Sequence, residues 1–303
     1  RRLRRLADAR GYRPDPQVAR LMHHLRTRSP ARAQANLCGL LERWPEAPLG
    51  AENFLTLITA ALRARAESLG YAFDLVFAGD YPSPARLRRV LANRGVEGII
   101  LLPRQQPTDL GRLLDWESHS VVTVTSSVVA PRFHAVTPNH FDNVLLACRS
   151  LVAAGFHRIG LAMPRDWDAR VNHRWSGGIA WHNQFGGAAT VPPLLDEGTG
   201  LALDPERICA WIHREHPDAV IFESIRSDAV RAAVDALPVR RRPRLVTLNW
   251  PNPAADCGVD QRVARIGEVA IETLAAMVVR GEKGIPALAS QTMIPGRWVA
   301  GPG

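Results

Sequence analysis

The stretch VTPNHFDNVLLACRSLVAAGFHRIGLAM, residues 136–163, indicates how this chain is organised. Residues 139–154 are predicted to form a helix that ends at Gly155, because glycine adopts the left-handed conformation that often closes helices. The apolar run 157–163 follows at once and is predicted to be a buried strand. This strand opens the second of two series in which strands and helices alternate.

Both series show the same alternation of short apolar runs and amphipathic segments. The predicted strands are 35–41, 71–77, 96–102, 120–126, 157–163, 218–222, 243–248 and the strand-like segment 289–299. The other predicted helices are 54–69, 84–94, one near 169–185, 205–215, 227–236 and 262–280. Such alternation is typical of parallel sheets with helices on both faces. We therefore predict an α/β protein with two doubly wound lobes and a ligand cleft between them.

The positive charge is concentrated at the amino-terminal end. The formal net charge of the chain is +9. Residues 1–33 contain ten arginines and two aspartates, so this arm alone carries +8. A basic arm on a nearly neutral body is typical of proteins that contact nucleic acid or an anionic membrane. The alternative is a solvated, arginine-rich tail.

Within this arm, RPDPQVARLMHHLRTR, residues 13–28, is amphipathic. Asp15 can cap a helix that has Pro16 at its first position and runs over 16–26. The helix would be too short to be stable alone, so it needs another copy of itself, the body of the protein or DNA as a partner. Its apolar stripe consists of Val18, Leu21, Met22 and Leu25.

Several classes of protein lack support in the sequence. No apolar run approaches the ~18 residues that span a bilayer, and no apolar segment follows the first arginines as in a signal peptide. The four cysteines have no paired spacing, which favours buried thiols in a reducing, cytoplasmic compartment. No dinucleotide, phosphate-loop or hydrolase motif is present, so we expect no cofactor. His213 and His216 could bridge a metal ion, but a surface helix is the favoured interpretation.

Charged and aromatic residues of the second series leave alternatives open. Asp166, Asp168, Arg165 and Arg170 are predicted to form a solvated charged loop. No nucleophile and base stand together, so an enzyme is disfavoured, although catalytic groups need not be close in sequence. Tryptophans could stack on a small polar ligand, but we expect at least half of them to be core residues. These are Trp167, Trp175, Trp181, Trp211 and Trp250.

Taken in order, several segments resemble the LacI/GalR family of bacterial transcription regulators over essentially the whole chain. They are LADARGYRPDPQVARLM (6–22), the opening stretch 136–163, RWSG (174–177), PDAVIF (217–222), GVDQRVARIGEVAIETLAAMV (258–278) and MIPGRWVAG (293–301). The resemblance implies a periplasmic-binding-protein-like core. It implies a headpiece remnant at 1–12, a hinge helix and linker at 13–33, a first lobe of 34–156 plus 259–283, and a second lobe of 157–258 plus 284–303.

In this family the hinge helices of two subunits enter the minor groove of an operator, and a leucine from each wedges between bases. Leu21 matches that leucine, although it could instead pack on its own protein. The resemblance implies DNA contacts by Arg10, Tyr12, Arg13 and Arg20. Arg1 is expected to lie within the third headpiece helix. Operator binding is then expected to need the rest of the helix-turn-helix.

The family also implies a small effector, often a sugar or nucleobase, held between the lobes of a homodimer. Arg174 matches the arginine that grips effector oxygens. Glu223, Asn249 and Asn139 stand where other residues are common, so the charge of the pocket differs from the usual pattern. A salt bridge between Glu223 and Arg174 is the alternative to ligand binding. The full implied set is Arg43, Trp44, Asn139, Arg174, Glu223, Asn249, Trp250 and Gln261.

The expected function is therefore an effector-controlled transcription regulator, a repressor, that shifts between two states of lobe closure. Its expected partners are operator DNA, a small molecule and a second copy of the chain, with no membrane. A solute-binding protein that feeds a transporter would share the fold, but the basic arm argues against it. An enzyme on the same scaffold is the third possibility.

Overall fold

The computed structural model describes residues 36–42, 54–187, 189–197, 203–223 and 228–301. Within these residues, strands and helices alternate along the chain in two lobes. Each lobe is built on a six-stranded, mostly parallel sheet. The predicted α/β fold with two doubly wound lobes is confirmed.

The sheet of the first lobe is parallel throughout. Its strands are β1 (Asn36–Leu41), β2 (Ala72–Phe77), β3 (Val96–Leu101), β5 (Ser120–Val124), β7 (His134–Pro138) and β13 (Gln291–Ile294), and a short ladder pairs β4 (Thr108–Asp109) with β6 (Val128–Ala130). The strand order is β13-β7-β5-β3-β1-β2. Helices α1 (Phe54–Ser68) and α8 (Val263–Arg280) pack on one face, and α2 (Pro84–Asn93) packs on the other.

The second lobe repeats this arrangement. Its strands are β8 (Ile159–Pro164), β9 (Leu194–Asp196), β10 (Ala219–Phe222), β11 (Arg244–Thr247), β12 (Cys257–Asp260) and β14 (Arg297–Val299). Their order is β14-β12-β11-β10-β8-β9, and only the β12–β14 pair among these described strands is antiparallel. The helices are α3 (His140–Ala153), α4 (Arg165–Arg170), α5 (Arg174–Phe185), α6 (Pro205–Glu215) and α7 (Asp228–Asp235).

Local sequence signals explain where several helices begin and end. Gly155 and Gly281 follow α3 and α8 with φ of 91° and 65°, a conformation that glycine adopts without steric cost. The Asp204 side chain accepts a 2.9 Å hydrogen bond from the Glu206 amide, and Pro205 opens α6. A proline at the first helical position loses no helical hydrogen bond.

The predicted lobe boundaries are wrong in three places. Helix α3, predicted within the first lobe, packs its apolar face into the core of the second lobe. Strand β12 lies wholly in the second sheet, although 259–283 was predicted for the first lobe. Strand β13, predicted for the second lobe, pairs with β7 of the first. An apolar run does not carry the identity of its partner strand, so chain crossings between lobes are hidden in the sequence.

Other differences concern single elements. The helix predicted near 169–185 is two helices, α4 and α5, separated by a turn. Segment 289–299 is two strands in different sheets, interrupted at Pro295 and Gly296. Strands β7, β9 and β12 are absent from the prediction, because they are only three to five residues long and mix polar with apolar residues.

The described helices include none that is both long and apolar enough to cross a membrane. Cys38, Cys148 and Cys257 are buried, whereas Cys209 is half-buried, and all four are free thiols. Burial raises the pKa of Cys38 and of Cys148 to about 12, because the interior disfavours a thiolate. These cysteines therefore act as small core residues.

Replacing Gly160 with alanine is expected to destabilise the second lobe by about 2 kcal/mol, the cost of overpacking a core. A Cβ atom at Gly160 of β8 would overlap the indole ring of Trp211, which is 1% exposed and cannot move aside. The matched control is Gly79→Ala, because no atom lies within 4 Å of a Cβ at that position. Urea unfolding of both variants checks this, and equal stabilities would contradict it.

Candidate functional site

The carboxyl-terminal ends of the parallel strands in the two sheets face each other, and hydrogen bonds cross between them. The Gln106 side chain, after β3, donates to Asp166 of α4 at 3.2 Å. Arg170 of α4 donates to the carbonyl oxygen of Arg104, after β3, at 3.5 Å. In open α/β folds, ligands bind at these strand ends. The interlobe face is therefore the candidate site.

The turn between α4 and α5 brings two arginines to this face. Asp168 is fully buried and holds the turn with both carboxylate oxygens. Oδ1 accepts from the Ser176 amide at 3.0 Å, and Oδ2 accepts from the Ser176 hydroxyl at 2.6 Å. Oδ2 also lies 3.0 Å from Nδ1 of His173, which has a φ of 56° like its neighbour Asn172 at 59°. This buried carboxylate therefore stabilises a left-handed turn that non-glycine residues rarely form.

Arg174, the first residue of α5, bridges the two lobes. Its guanidinium donates to Gln291 Oε1 of β13 at 2.9 Å and to Ser126 Oγ, after β5, at 3.5 Å. The Gln291 side chain in turn donates to Thr137 of β7 at 2.9 Å. Burial lowers the pKa of Arg174. The side chain belongs to the second lobe, but its described hydrogen bonds are made to the first.

Arg170 is the last residue of α4, directly before this turn, and stacks on an aromatic ring. Its guanidinium carbon is 3.9 Å from the ring centroid of Trp167, the geometry of a cation–π contact. Burial lowers the pKa of Arg170, and the nearby Glu223 carboxylate acts in the opposite direction. One face of the Trp167 ring is therefore covered by the Arg170 guanidinium.

Glu223 follows β10 and is 5% exposed. Burial raises its pKa to about 7, and Arg170 partly opposes this shift by attracting the carboxylate form. Its Oε2 atom has no hydrogen-bond partner among the described residues. A buried carboxylate oxygen without a donor is costly, so this atom favours either a proton or a donor that is not among the described residues.

His140 opens α3 beside the same arginines. It is 3% exposed, and its ring meets Trp175 edge to face at a centroid distance of 4.9 Å. Neither ring nitrogen has a hydrogen-bond partner among the described residues. Burial lowers its pKa to about 3, and the positive charges of Arg170 and Arg174 add to this effect. The imidazole is therefore neutral at physiological pH.

The structure places Arg174, Glu223 and Arg170 at the interlobe face; the first two were named from the family resemblance, and Arg170 was not among the predicted site residues. The other predicted site residues have local partners. Asn139 caps α3, where its side chain donates to Asp142 at 2.6 Å. Gln261, after β12, is buried and donates to the Leu248 carbonyl oxygen. The Asn249 amide donates to the Thr247 hydroxyl at 3.0 Å.

Trp250 is half-buried, and its amide donates to the Val259 carbonyl oxygen at 3.0 Å. The remaining predicted site residues lie outside the described part of the chain. They are Arg43 and Trp44 of the effector set and Arg10, Tyr12, Arg13, Arg20 and Leu21 of the DNA-binding set.

The interpretation of the charged residues 165–170 as a solvated loop is wrong. These residues form α4, in which Asp168 is buried and Arg170 is half-buried. Sequence reasoning therefore missed Arg170 and His140 as residues of the interlobe face. The available signal was the four-residue spacing of Arg170 and Arg174, which suits one helix face, but the intervening left-handed turn hid it.

Three of the five tryptophans singled out in the sequence are core residues. Trp167, Trp175 and Trp211 are each 1% exposed, whereas Trp181 is 46% exposed and Trp250 is half-buried. Full burial leaves the first three no open face on which a ligand ring could stack. The expectation that at least half are core residues is confirmed.

The described residues contain no group of three or more histidine, cysteine or acidic side chains that could hold a metal ion. His213, one of the two histidines considered for metal binding, lies exposed on α6 with Nδ1 2.9 Å from the Cys209 carbonyl oxygen. His216 is the left-handed C-cap residue of the same helix. Both positions fit the surface-helix interpretation.

Replacing Glu223 with glutamine is expected to change how stability depends on pH. The pKa of Glu223 is about 7 in the folded protein and near its ordinary 4.5 when unfolded. The folded state therefore binds the proton more tightly, and the free energy of unfolding falls as pH rises from 4.5 to 7, by up to about 3 kcal/mol. Glutamine does not take up this proton. The free energy of unfolding of the variant therefore rises relative to that of the parent between pH 5 and pH 8.

Urea unfolding at the two pH values measures this difference. The matched control is Glu197→Gln, because the Glu197 carboxylate is exposed and forms an ion pair of 2.7 Å with Arg165. A stability difference between parent and Glu223→Gln that is equal at pH 5 and pH 8 would contradict the prediction.

No protein-family model matches the chain, and no curated protein matches it. Solved structures with the same fold do exist. A regulatory protein of the LacI family from Chloroflexus aggregans is 17% identical with a TM-score of 0.66, and the match covers 88% of this chain and 98% of that one.

Two further structures were solved with small molecules. The Cra transcriptional dual regulator from Pseudomonas putida, in complex with fructose 1-phosphate, is 19% identical with a TM-score of 0.63, over 87% of this chain and 97% of that one. The Lac repressor bound to ONPG in its repressed state is 15% identical with a TM-score of 0.62, over 97% of this chain and 86% of that one. At these identities the likeness shows the fold, which is the two-lobed, periplasmic-binding-protein-like fold of such regulators.

Proposed function

We propose that this chain is an effector-responsive, DNA-binding transcription regulator of the LacI/GalR type that acts as a repressor. It binds a small ligand, a sugar or related metabolite, between its lobes. The observation that carries this proposal is the Arg174 bridge, in which a second-lobe guanidinium holds Gln291 and Ser126 of the first lobe. A ligand that takes over these hydrogen bonds changes how the lobes are held together.

The interlobe face offers the chemistry that such a ligand needs. Arg174 and Arg170 are donors for ligand oxygens, and the unpartnered Oε2 of Glu223 accepts from a ligand hydroxyl. We place Asn139, Asn249, Trp250 and Gln261 around the same ligand, together with Arg43 and Trp44. The solved relatives with ONPG and fructose 1-phosphate support a sugar-like compound.

The DNA-binding part of the proposal rests on the amino-terminal arm. Its formal charge of +8 suits the phosphate backbone. Arg10, Tyr12, Arg13 and Arg20 contact the operator, and Leu21 enters the minor groove. We further propose a homodimer that acts in the cytoplasm, binds its effector without chemical conversion and uses no cofactor. Effector binding then shifts the population between two lobe arrangements that differ in affinity for DNA.

The effector site is tested by replacing Arg174 with alanine. A panel of monosaccharides and monosaccharide phosphates is first screened for compounds that raise the melting temperature of the protein. We expect Arg174→Ala to weaken binding of the best compound by about tenfold to a hundredfold, since a charged hydrogen-bond donor is lost. The matched control is Arg165→Ala on the neighbouring helix, whose exposed guanidinium pairs with Glu197. Equal affinity in both variants would contradict the proposed site.

The DNA-binding activity is tested on the full-length protein. Duplexes that bind are selected from a random pool, and the dissociation constant is measured at several salt concentrations. We expect a palindromic site whose affinity falls steeply with salt, because arginines displace counterions from the phosphates. If no duplex is selected, or if binding to DNA does not depend on salt, the regulator is excluded and a solute-binding protein is favoured.

A further inference from the structure

Three exposed apolar side chains, called the patch below, lie on the last turn of α8 and in the segment that follows it, at the end of the first lobe where its strands begin. The patch consists of Val279, Ile285 and Leu288, which are 56%, 46% and 85% exposed. Leu288 and Ile285 belong to the segment 281–290, which joins α8 to β13. An apolar group of this kind on a soluble lobe marks an interaction surface more often than an isolated exposed leucine does.

Hydrogen bonds tie this segment across the beginnings of two strands. The Ser120 hydroxyl, at the start of β5, donates to the Glu282 carbonyl oxygen at 2.6 Å, and the Gly284 amide donates to the His119 carbonyl oxygen at 2.9 Å. At the other end, the Ser290 amide donates to Nδ1 of His134, at the start of β7, at 3.1 Å. The patch is therefore a fixed surface that spans the amino-terminal ends of β5 and β7.

The amino-terminal arm reaches the first lobe at the same end of the sheet. Residue Asn36 begins β1, and β1, β3, β5 and β7 are neighbours in that order and all parallel. At the usual spacing of ~4.8 Å between strands, the starts of β5 and β7 lie about 10 and 14 Å from the start of β1. The nine residues 27–35 can span up to about 30 Å. Segment 16–26 is thus within reach of the patch.

Segment 16–26 also has the matching chemistry. Its apolar stripe, Val18, Leu21, Met22 and Leu25, needs a partner, because a helix this short is not stable alone. We propose that the patch of Val279, Ile285 and Leu288 is the docking surface for segment 16–26 of the same chain whenever the protein is not bound to DNA. Docking covers Leu21, so it excludes insertion of that residue into DNA.

The charges near the patch predict how docking responds to salt. Exposed acids at this end of the lobe are Glu97, Asp115 and Glu117, and the exposed bases are Arg94 and Lys283. Glu282 forms two hydrogen bonds of 2.8 and 2.9 Å with Arg280. With the charges nearly balanced, burial of the apolar stripe drives the contact. Unlike DNA binding, docking should therefore persist at high salt.

The first test is hydrogen exchange of the 303-residue chain without DNA. We expect backbone amides of 16–26 to exchange about tenfold more slowly in the parent than in the double variant Ile285→Asp, Leu288→Asp. The control is Val239→Asp, because Val239 is 78% exposed and lies in the second lobe. Equal exchange in parent and double variant, or protection that disappears between 0.1 and 0.5 M NaCl, would overturn the proposal.

The second test identifies what covers the patch. Leu288 is replaced by the photo-crosslinking residue p-benzoylphenylalanine, and a mixture of light and isotopically heavy chains is irradiated. We expect crosslinks from position 288 to residues 13–28 within one chain. Links to the same patch of a second copy, links to a second chain's arm, or no link to 13–28 would each overturn it. Because no DNA or effector is present, failure here leaves the proposed function untouched.

Discussion

Replacing Asp168 with alanine is expected to lower the free energy of unfolding by about 3–4 kcal/mol, among the largest single-residue effects in this protein. The carboxylate is 0% exposed, and it accepts hydrogen bonds from the amide and the hydroxyl of Ser176 and contacts His173. Alanine leaves the Ser176 amide without its acceptor, leaves the Ser176 hydroxyl only the longer 3.3 Å bond to the His173 carbonyl oxygen, and opens a cavity. It also removes what holds Asn172 and His173 at positive φ.

Asp166→Ala is the matched control on the same helix. Its exposed carboxylate accepts a hydrogen bond from Gln106 at 3.2 Å, so we expect a loss below about 0.5 kcal/mol. Asp168→Asn keeps one acceptor oxygen, so its loss of unfolding free energy should lie between those of Asp168→Ala and Asp166→Ala. Urea unfolding at pH 7 measures all three variants. A loss under about 1 kcal/mol for Asp168→Ala would show that the turn forms without the carboxylate.

The second large effect concerns acid stability and His140. The pKa of His140 is lowered from 6.5 to about 3 in the folded protein, chiefly by burial. The unfolded chain therefore takes up a proton on His140 near pH 6.5, whereas the folded protein takes up that proton only near pH 3. Stability from this residue is complete above pH 6.5 and is lost as pH falls through that window, by about 3 kcal/mol at pH 4.5.

His140→Phe separates this contribution from that of Glu223, which has the opposite sign in the overlapping range. Phenylalanine keeps an aromatic ring against Trp175 but takes up no proton. As pH falls from 7 to 4.5, we expect the free energy of unfolding of the variant to rise by about 3 kcal/mol relative to that of the parent. Urea unfolding measures this difference. Proton NMR of the His140 ring in the parent should show a neutral imidazole throughout this range. Parallel pH profiles of parent and variant, or titration near pH 6.5, would contradict the prediction.

Two residues of the candidate site, Glu223 and Arg174, were named from the family resemblance, and strand topology explains the position of the first. Glu223 follows an apolar run, and the carboxyl ends of parallel strands meet at one edge of a sheet. Arg174 was found by the resemblance of RWSG (174–177) to a family segment. Nothing in the pattern indicated that Arg170 stacks on Trp167, or that His140 lies beside both arginines with its ring nitrogens unpartnered. These contacts join residues from α3, α4 and β10, which are distant along the chain.

By itself, the sequence determined the alternation of strands and helices, the helix end at Gly155, and the strongly basic arm. Each of these depends on local periodicity, backbone preference or charge, which a run of a few residues carries. Only the tertiary structure decided that α3 packs in the second lobe, that β13 returns to the first sheet, and that Arg174 binds the opposite lobe. These features depend on which helix and strand surfaces pack together when the two sheets are covered. The free energy of that packing arises between segments distant along the chain, so no local sequence pattern reveals it.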